Sequence, residues 1–208
     1  EEKYPSNKVL DEVGAPIVKE KVKLPYYMGS MDKIKPDTGV ITRWKKKYIG
    51  PYMLSAKLDG ISGLYTTEGS EPKLYTRGNG VEGQDISYMI PYLRLPTKKG
   101  ITIRGELIMS KKTFDTKYKT KAANARNLVS GFSNRKTVTS SDIKSIDFVA
   151  YEVIEPQMKP SEQFDLLKSL DVVTVIHELT DVITNESLSE LLVDWRSSYD
   201  YEIDGVIC

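Results

Sequence analysis

Ser55-Ala56-Lys57-Leu58-Asp59-Gly60 puts one lysine two residues ahead of an Asp-Gly turn signal. The apolar approach Pro51-Tyr52-Met53-Leu54 precedes it, and a second apolar run, residues 61–65, follows. Such a pattern predicts a strand, a tight turn and a second strand. A lysine attacks only as the neutral amine, which near neutral pH is roughly one solvated molecule in a few thousand. A nucleophilic lysine must therefore be desolvated or set among positive charges. The plain alternative is a surface lysine beside a hairpin, because Asp-Gly is a common hairpin turn. Taken alone, the motif is a weak signal.

Outward from this stretch, residues 52–54, 61–66, 73–76 and 101–109 are short, rich in β-branched and aromatic residues, and parted by Gly or Pro. They predict an antiparallel sheet. Between them, Tyr75-Thr76-Arg77-Gly78-Asn79-Gly80-Val81-Glu82-Gly83-Gln84-Asp85 holds three glycines in six residues, so that backbone amides could approach a phosphate. A glycine-rich hairpin explains it equally well. Residues 147–154 read as a buried strand, and residues 163–170 and 187–199 as amphipathic helices, the second capped from within residues 185–190. Residues 1–23 read as an irregular or short-helical lead, and residues 24–32 as an extended piece ending in a turn.

Composition narrows the partners. Thirty basic against twenty-nine acidic residues in 208 exclude a uniformly basic nucleic-acid coat, so a polyanion site must come from local charge. One local strip exists: from 111 to 126 six Lys and Arg face a single acid, Asp115, which suits a phosphate backbone or, alternatively, a solvated face. Lys45-Lys46-Lys47 is expected at a solvated helix end. The lone His177 is expected on a strand surface. A single cysteine, Cys208, excludes an intramolecular disulfide and a Cys-rich zinc site. With no membrane-length apolar run and no signal-peptide core, an intracellular, cytoplasmic protein is expected.

The order of the motifs carries more than any one of them. The chain reads Lys57-x-Asp59-Gly60, Arg77-Gly78, Arg104-Gly105-Glu106, Asn124-x-Arg126-Asn127, Phe148-x-x-Tyr151 and Glu202-Ile203-Asp204-Gly205-Val206-Ile207. This series resembles the adenylation domain of NAD-dependent DNA ligases, from Ser30-Met31-Asp32 to the final residues. Lys-x-Asp-Gly, Arg-Gly-Glu and Asp-Gly-Val are shared by all covalent nucleotidyltransferases. Residues 76–86 and Ala123-Asn124-Ala125-Arg126-Asn127 single out the NAD-dependent branch.

The resemblance implies an α+β nucleotidyltransferase (ATP-grasp-like ligase) fold, antiparallel sheets flanked by helices. Residues 1–50 would be a leading segment with the adenosine-pocket loop, and residues 51–208 the catalytic core. Lys57 would attack the α-phosphorus of NAD, expel nicotinamide mononucleotide and hold AMP as a phosphoramidate. Asp59 would contact ribose or orient the lysine, and Glu106 would bind the ribose hydroxyls. Arg77, Arg126 and Arg135 would face phosphates, with Tyr151 stacked on adenine and Ile207 closing its other side. Ser30, Met31, Ser55 and Ala56 complete the implied adenosine pocket. Lys117, Lys119 and Lys121 would meet DNA. Mg²⁺ is the expected ion, with metal ligands unknown. A monomer acting on nicked double-stranded DNA, away from membranes, is implied.

The chain departs from the family pattern at four places. Ser55 stands where the family has Glu, Ala125 where it has Pro, and one extra residue precedes Arg135. Cys208 is followed by no lysine of the Asp-Gly-Val-x-x-Lys element, so the chain is expected to be an excised piece, with the nicotinamide-binding segment and the oligonucleotide-binding fold outside it. It would then bind NAD through the AMP half and seal no nicks unaided. Two other readings stay open: an ATP- or GTP-using RNA ligase or capping enzyme, and a non-catalytic nucleotide- or DNA-binding module.

Overall fold

The computed structural model describes residues 21–36, 39–135 and 138–208. The predicted lead over residues 1–20 lies outside them. Residues 21–23 are not irregular but form strand β1 (Lys21–Lys23), which pairs antiparallel with β5 (Glu82–Gln84). Helix α1 (Val40–Lys47) carries its three lysines in the last turn, the favourable end for cations. Lys45 there donates to the Ile183 carbonyl at 2.9 Å.

Two larger antiparallel sheets hold the core. In one, β2 (Tyr52–Leu58) lies between β8 (His177–Thr180) and β9 (Ile203–Ile207). In the other, β3 (Ile61–Thr66), β4 (Lys73–Thr76), β6 (Thr102–Ile108) and β7 (Asp147–Glu155) run in the order β4-β3-β6-β7. The predicted strands are all present, but β2 and β3 belong to different sheets. Asp59-Gly60 is therefore a crossover between sheets and not the tip of a hairpin. A side chain at Gly60 would put its Cβ 2.5 Å from the Leu107 carbonyl oxygen and 2.8 Å from Glu106 Cγ, so the crossover presses onto β6 where only glycine fits.

Helices α2 (Lys111–Lys117), α3 (Ala125–Asn134), α4 (Ser140–Ile143), α5 (Pro160–Ser169) and α6 (Asn185–Ser198) flank the sheets. Asn124 caps α3 by accepting from the Asn127 amide at 2.8 Å. Thr184, just ahead of the predicted capping residues, caps α6 through the Ser187 amide at 3.0 Å. Leu54, Ala56 and Leu58 from β2 join Ile103, Leu107, Phe148, Val149, Phe132, Leu167 and Trp195 in one buried cluster. His177 sits on β8 as predicted, its ring stacked 3.9 Å from that of Phe164 and its Nδ1–H donating to the Val175 carbonyl. Among the described residues no helix is long and apolar enough to cross a membrane.

Candidate active site

Alternation along β2 buries Leu54, Ala56 and Leu58 and turns Lys57 outward. Both oxygens of Asp204 accept from Lys57 Nζ, at 2.7 and 2.8 Å, with both side chains about half exposed. Asp204 reaches the lysine because β9 is bulged there: Lys57 pairs with Gly205 and Leu58 with Ile203, which leaves Asp204 as the extra residue. Asp59 does not touch the lysine. Its carboxylate accepts from Arg126 Nη1 at 2.7 Å, an arginine held in the first turn of α3 beyond the Asn124 cap.

Glu106 lies on β6 opposite Ser62, whose hydroxyl donates to its carboxylate at 3.0 Å. Only 6% of it is exposed, and burial pushes its carboxyl from 4.5 up to about 7. The Ser62 hydroxyl, the Arg126 charge, the Gly60 amide and the Lys57 charge pull the other way and lose. A second bulge places Tyr151: Arg104 pairs with Glu152 and Gly105 with Ala150, leaving Tyr151 between them on the Glu106 side. Burial first, then the nearby Glu106 charge, raises its phenol.

Most of these groups, Asp59 and Asp204 excepted, share one cavity of about 620 Å³. Lys57, Ala56, Arg77, Glu106, Arg126, Tyr151 and Ile207 line it, as do Ser30 and Met31 from the loop between β1 and α1. Arg77 Nη1 lies 3.5 Å from Ser30 Oγ. The lining carries five cationic side chains, Lys21, Lys57, Arg77, Arg104 and Arg126, against Glu82 and Glu106, a surplus suited to an anion.

Several predicted site residues fall outside the lining. Ser55 is buried in the row His177, Ser55, Ile207 across the three strands, too short to project beyond it. Arg135 follows α3 and lies 5.2 Å over the Phe132 ring. Of the basic strip, Lys119 pairs with Asp115 at 3.0 Å, Lys121 lies 5.8 Å from the Tyr118 ring centre, and Lys117 ends α2. Lys111 is structural, donating to the Arg196 and Tyr199 carbonyls. Sequence reasoning missed Asp204, Ser62 and Arg104 as members of the site. Asp204 and Arg104 stood inside quoted motifs, whereas nothing in the sequence marks Ser62 before its strand pairing is known. Among the described residues no three His, Cys, Asp or Glu gather as a metal cage.

The comparisons agree with this geometry. The model of the NAD-dependent DNA ligase adenylation domain matches residues 33–208. A DNA ligase of Acanthamoeba polyphaga mimivirus is 42% identical over 98% of this chain and 33% of its own length. Putative DNA ligase 205R of Invertebrate iridescent virus 6 is 34% identical over 94% of this chain and 34% of its own length. A solved structure named Pmar-Lig_PreS3 has a TM-score of 0.53 at 16% identity over 79% of this chain and 39% of that one, a likeness of fold. The chain spans about a third of the length of these curated relatives. It has the α+β nucleotidyltransferase fold and belongs to the NAD-dependent DNA ligase adenylation-domain family.

Proposed function

We propose that this chain is the adenylation domain of an NAD-dependent DNA ligase and that Lys57 is its nucleophile. The observation that carries the reading is the shared cavity, into which Lys57, Glu106, Arg77, Arg126 and Tyr151 converge from separate elements. Attack requires the amine, so a proton must leave Nζ. Asp204, bonded to it at 2.7 Å, is the group in reach to take it. Lys57 Nζ then bonds to the α-phosphorus of NAD, and the bond from that phosphorus to the bridging oxygen breaks. Nicotinamide mononucleotide leaves with the electron pair, and AMP stays as a phosphoramidate.

The remaining residues have roles that match their chemistry. Glu106 as carboxylate accepts from the ribose hydroxyl pair. Tyr151 offers a ring face to adenine, with Ile207 on the other side and Ala56, Ser30 and Met31 around the nucleoside. Arg77 and Arg126 present guanidinium forks to phosphate, Arg126 by exchanging its hold on Asp59. Ser55 shares the Lys57 face of β2 and packs between His177 and Ile207 at the edge of the site. In the later steps AMP passes to the 5′-phosphate of a nick and the 3′-hydroxyl displaces it. Lys117, Lys119, Lys121 and Arg135 would lie along the duplex backbone.

Magnesium would neutralise charge on the phosphates. With no carboxylate cage among the described residues, it would be held mainly by the nucleotide and water. The domain would work inside a cell, as a monomer. Incubation with labelled NAD, ATP and GTP, followed by intact mass measurement, tests the reading. A gain of one AMP from NAD alone is expected, and labelling from ATP or GTP instead would reassign the chain to their nucleotidyltransferases.

A further inference from the structure

Arg104 sits mid-strand on β6, on the face that carries Glu106, and its three nitrogens are used differently. Nη1 donates to Glu152 at 2.9 Å, and Nη2 donates to the Tyr27 carbonyl. Nε is buried with no partner among the described residues. Glu152 is the neighbour of Tyr151 at the bulge, and Tyr27 belongs to the loop whose residues 28–31 line the cavity. Arg104 therefore ties one side of the pocket, a loop without regular structure, to the strand that presents the aromatic face. The loop's other anchors are the Leu24 and Met28 amides on the Val81 and Gly80 carbonyls, the Tyr26 hydroxyl on Glu68, and Ser30 Oγ, 3.5 Å from Arg77 Nη1.

A buried N–H left unbonded is costly and rare in a folded chain. Arg104 tolerates one, its Nε enclosed by the protein, while its two Nη groups hold opposite sides of the cavity it lines. We propose that Arg104 is a positioning residue for the nucleoside, its two Nη groups clamping residues 24–31 against the Tyr151 bulge so that Ser30, Met31 and Tyr151 are held in place around the ligand. The inference rests on the adenylation reading and adds a positioning residue to it.

The test is calorimetric titration of AMP into the protein and its variants, with amide exchange at Met28 followed in parallel. Arg104→Met removes both clamping hydrogen bonds, so it should weaken AMP binding about tenfold, the range of one charge-assisted hydrogen bond, and should speed Met28 exchange. Arg104→Lys, which keeps the charge but not the fork, should fall between it and the parent. Faster Met28 exchange with unchanged AMP affinity would make Arg104 a loop anchor only and overturn the proposal. If Arg104→Met does not fold, Glu152→Ala, which removes the acceptor of Nη1, takes its place, and AMP affinity equal to the parent's overturns the proposal equally. A parent chain that neither binds AMP nor labels Lys57 would instead overturn the adenylation reading itself.

Discussion

At the scale of single residues, the bidentate Lys57–Asp204 contact makes the proposed nucleophile and its proposed proton acceptor separable. Lys57→Ala should abolish AMP uptake while leaving the strand in place, since the side chain is half exposed. Asp204→Asn keeps the shape but cannot take the proton, so the rate of adenylation should fall by about two orders of magnitude while AMP affinity changes little. Single-turnover labelling beside an AMP titration checks both, and a variant that labels at the parent's rate would clear Asp204 of the role. Glu106 gives a prediction in pH. Its carboxyl is raised in the folded chain, from 4.5 to about 7, so between those values the native state holds a proton that the unfolded state has released. Stability from this group is then full at low pH and lost as pH rises through about 7. The loss should be on the order of 3 kcal/mol, and Glu106→Gln should remove it. Urea melts at pH 5 and pH 8 measure the difference, and an unchanged pH slope in the variant would show that another group titrates.

At the scale of elements, the crossover at Asp59-Gly60 and the two bulges set the site. Gly60→Ala forces a Cβ to within 2.5 Å of a backbone oxygen that cannot rotate away, so it should cost about 1–3 kcal/mol and disturb Glu106 along with it. A thermal melt that hardly moves would mean β6 yields there. Tyr151→Ala removes one ring face, about 1 kcal/mol, so nucleotide affinity should drop several-fold by calorimetry. Strand positions were legible because Val, Ile, Tyr and Thr runs between Gly and Pro follow the pleat, as in residues 61–66 and 147–155. Sheet membership was not. Asp-Gly signals a reversal but does not say whether the next strand pairs with the last one, and here it pairs with β4 and β6 instead. The bulges were invisible for a related reason: one extra residue is defined only against its partner strand, so Asp204 and Tyr151–Glu152 cannot be placed from local pattern. The ordered motifs named Lys57, Arg77, Glu106, Arg126 and Tyr151, and all five line one cavity, whereas Ser55, named because it stands where the family has Glu, is buried in the row it shares with His177 and Ile207.

At the scale of the whole molecule, near-zero net charge coexists with a cationic cavity and a basic strip over α2 and the turn after it. If that strip meets a duplex, neutralising Lys117, Lys119 and Lys121 together should flatten the slope of log affinity against log salt by up to about three. Fluorescence anisotropy with nicked duplex DNA at several salt concentrations measures it, and an unchanged slope would return the strip to solvent. The pairing that completes the site has a further consequence, in biosynthesis. Lys57 and Asp204 are 147 residues apart, and β2 lies between two strands that both come more than a hundred residues later. At roughly 5–20 residues per second of translation, the nucleophile's strand waits on the order of ten to thirty seconds for both neighbours. During that interval its two edges and its Leu54-Ala56-Leu58 face are without their final cover, so the nascent chain presents an uncovered apolar stretch to chaperones in the strand that carries the proposed nucleophile.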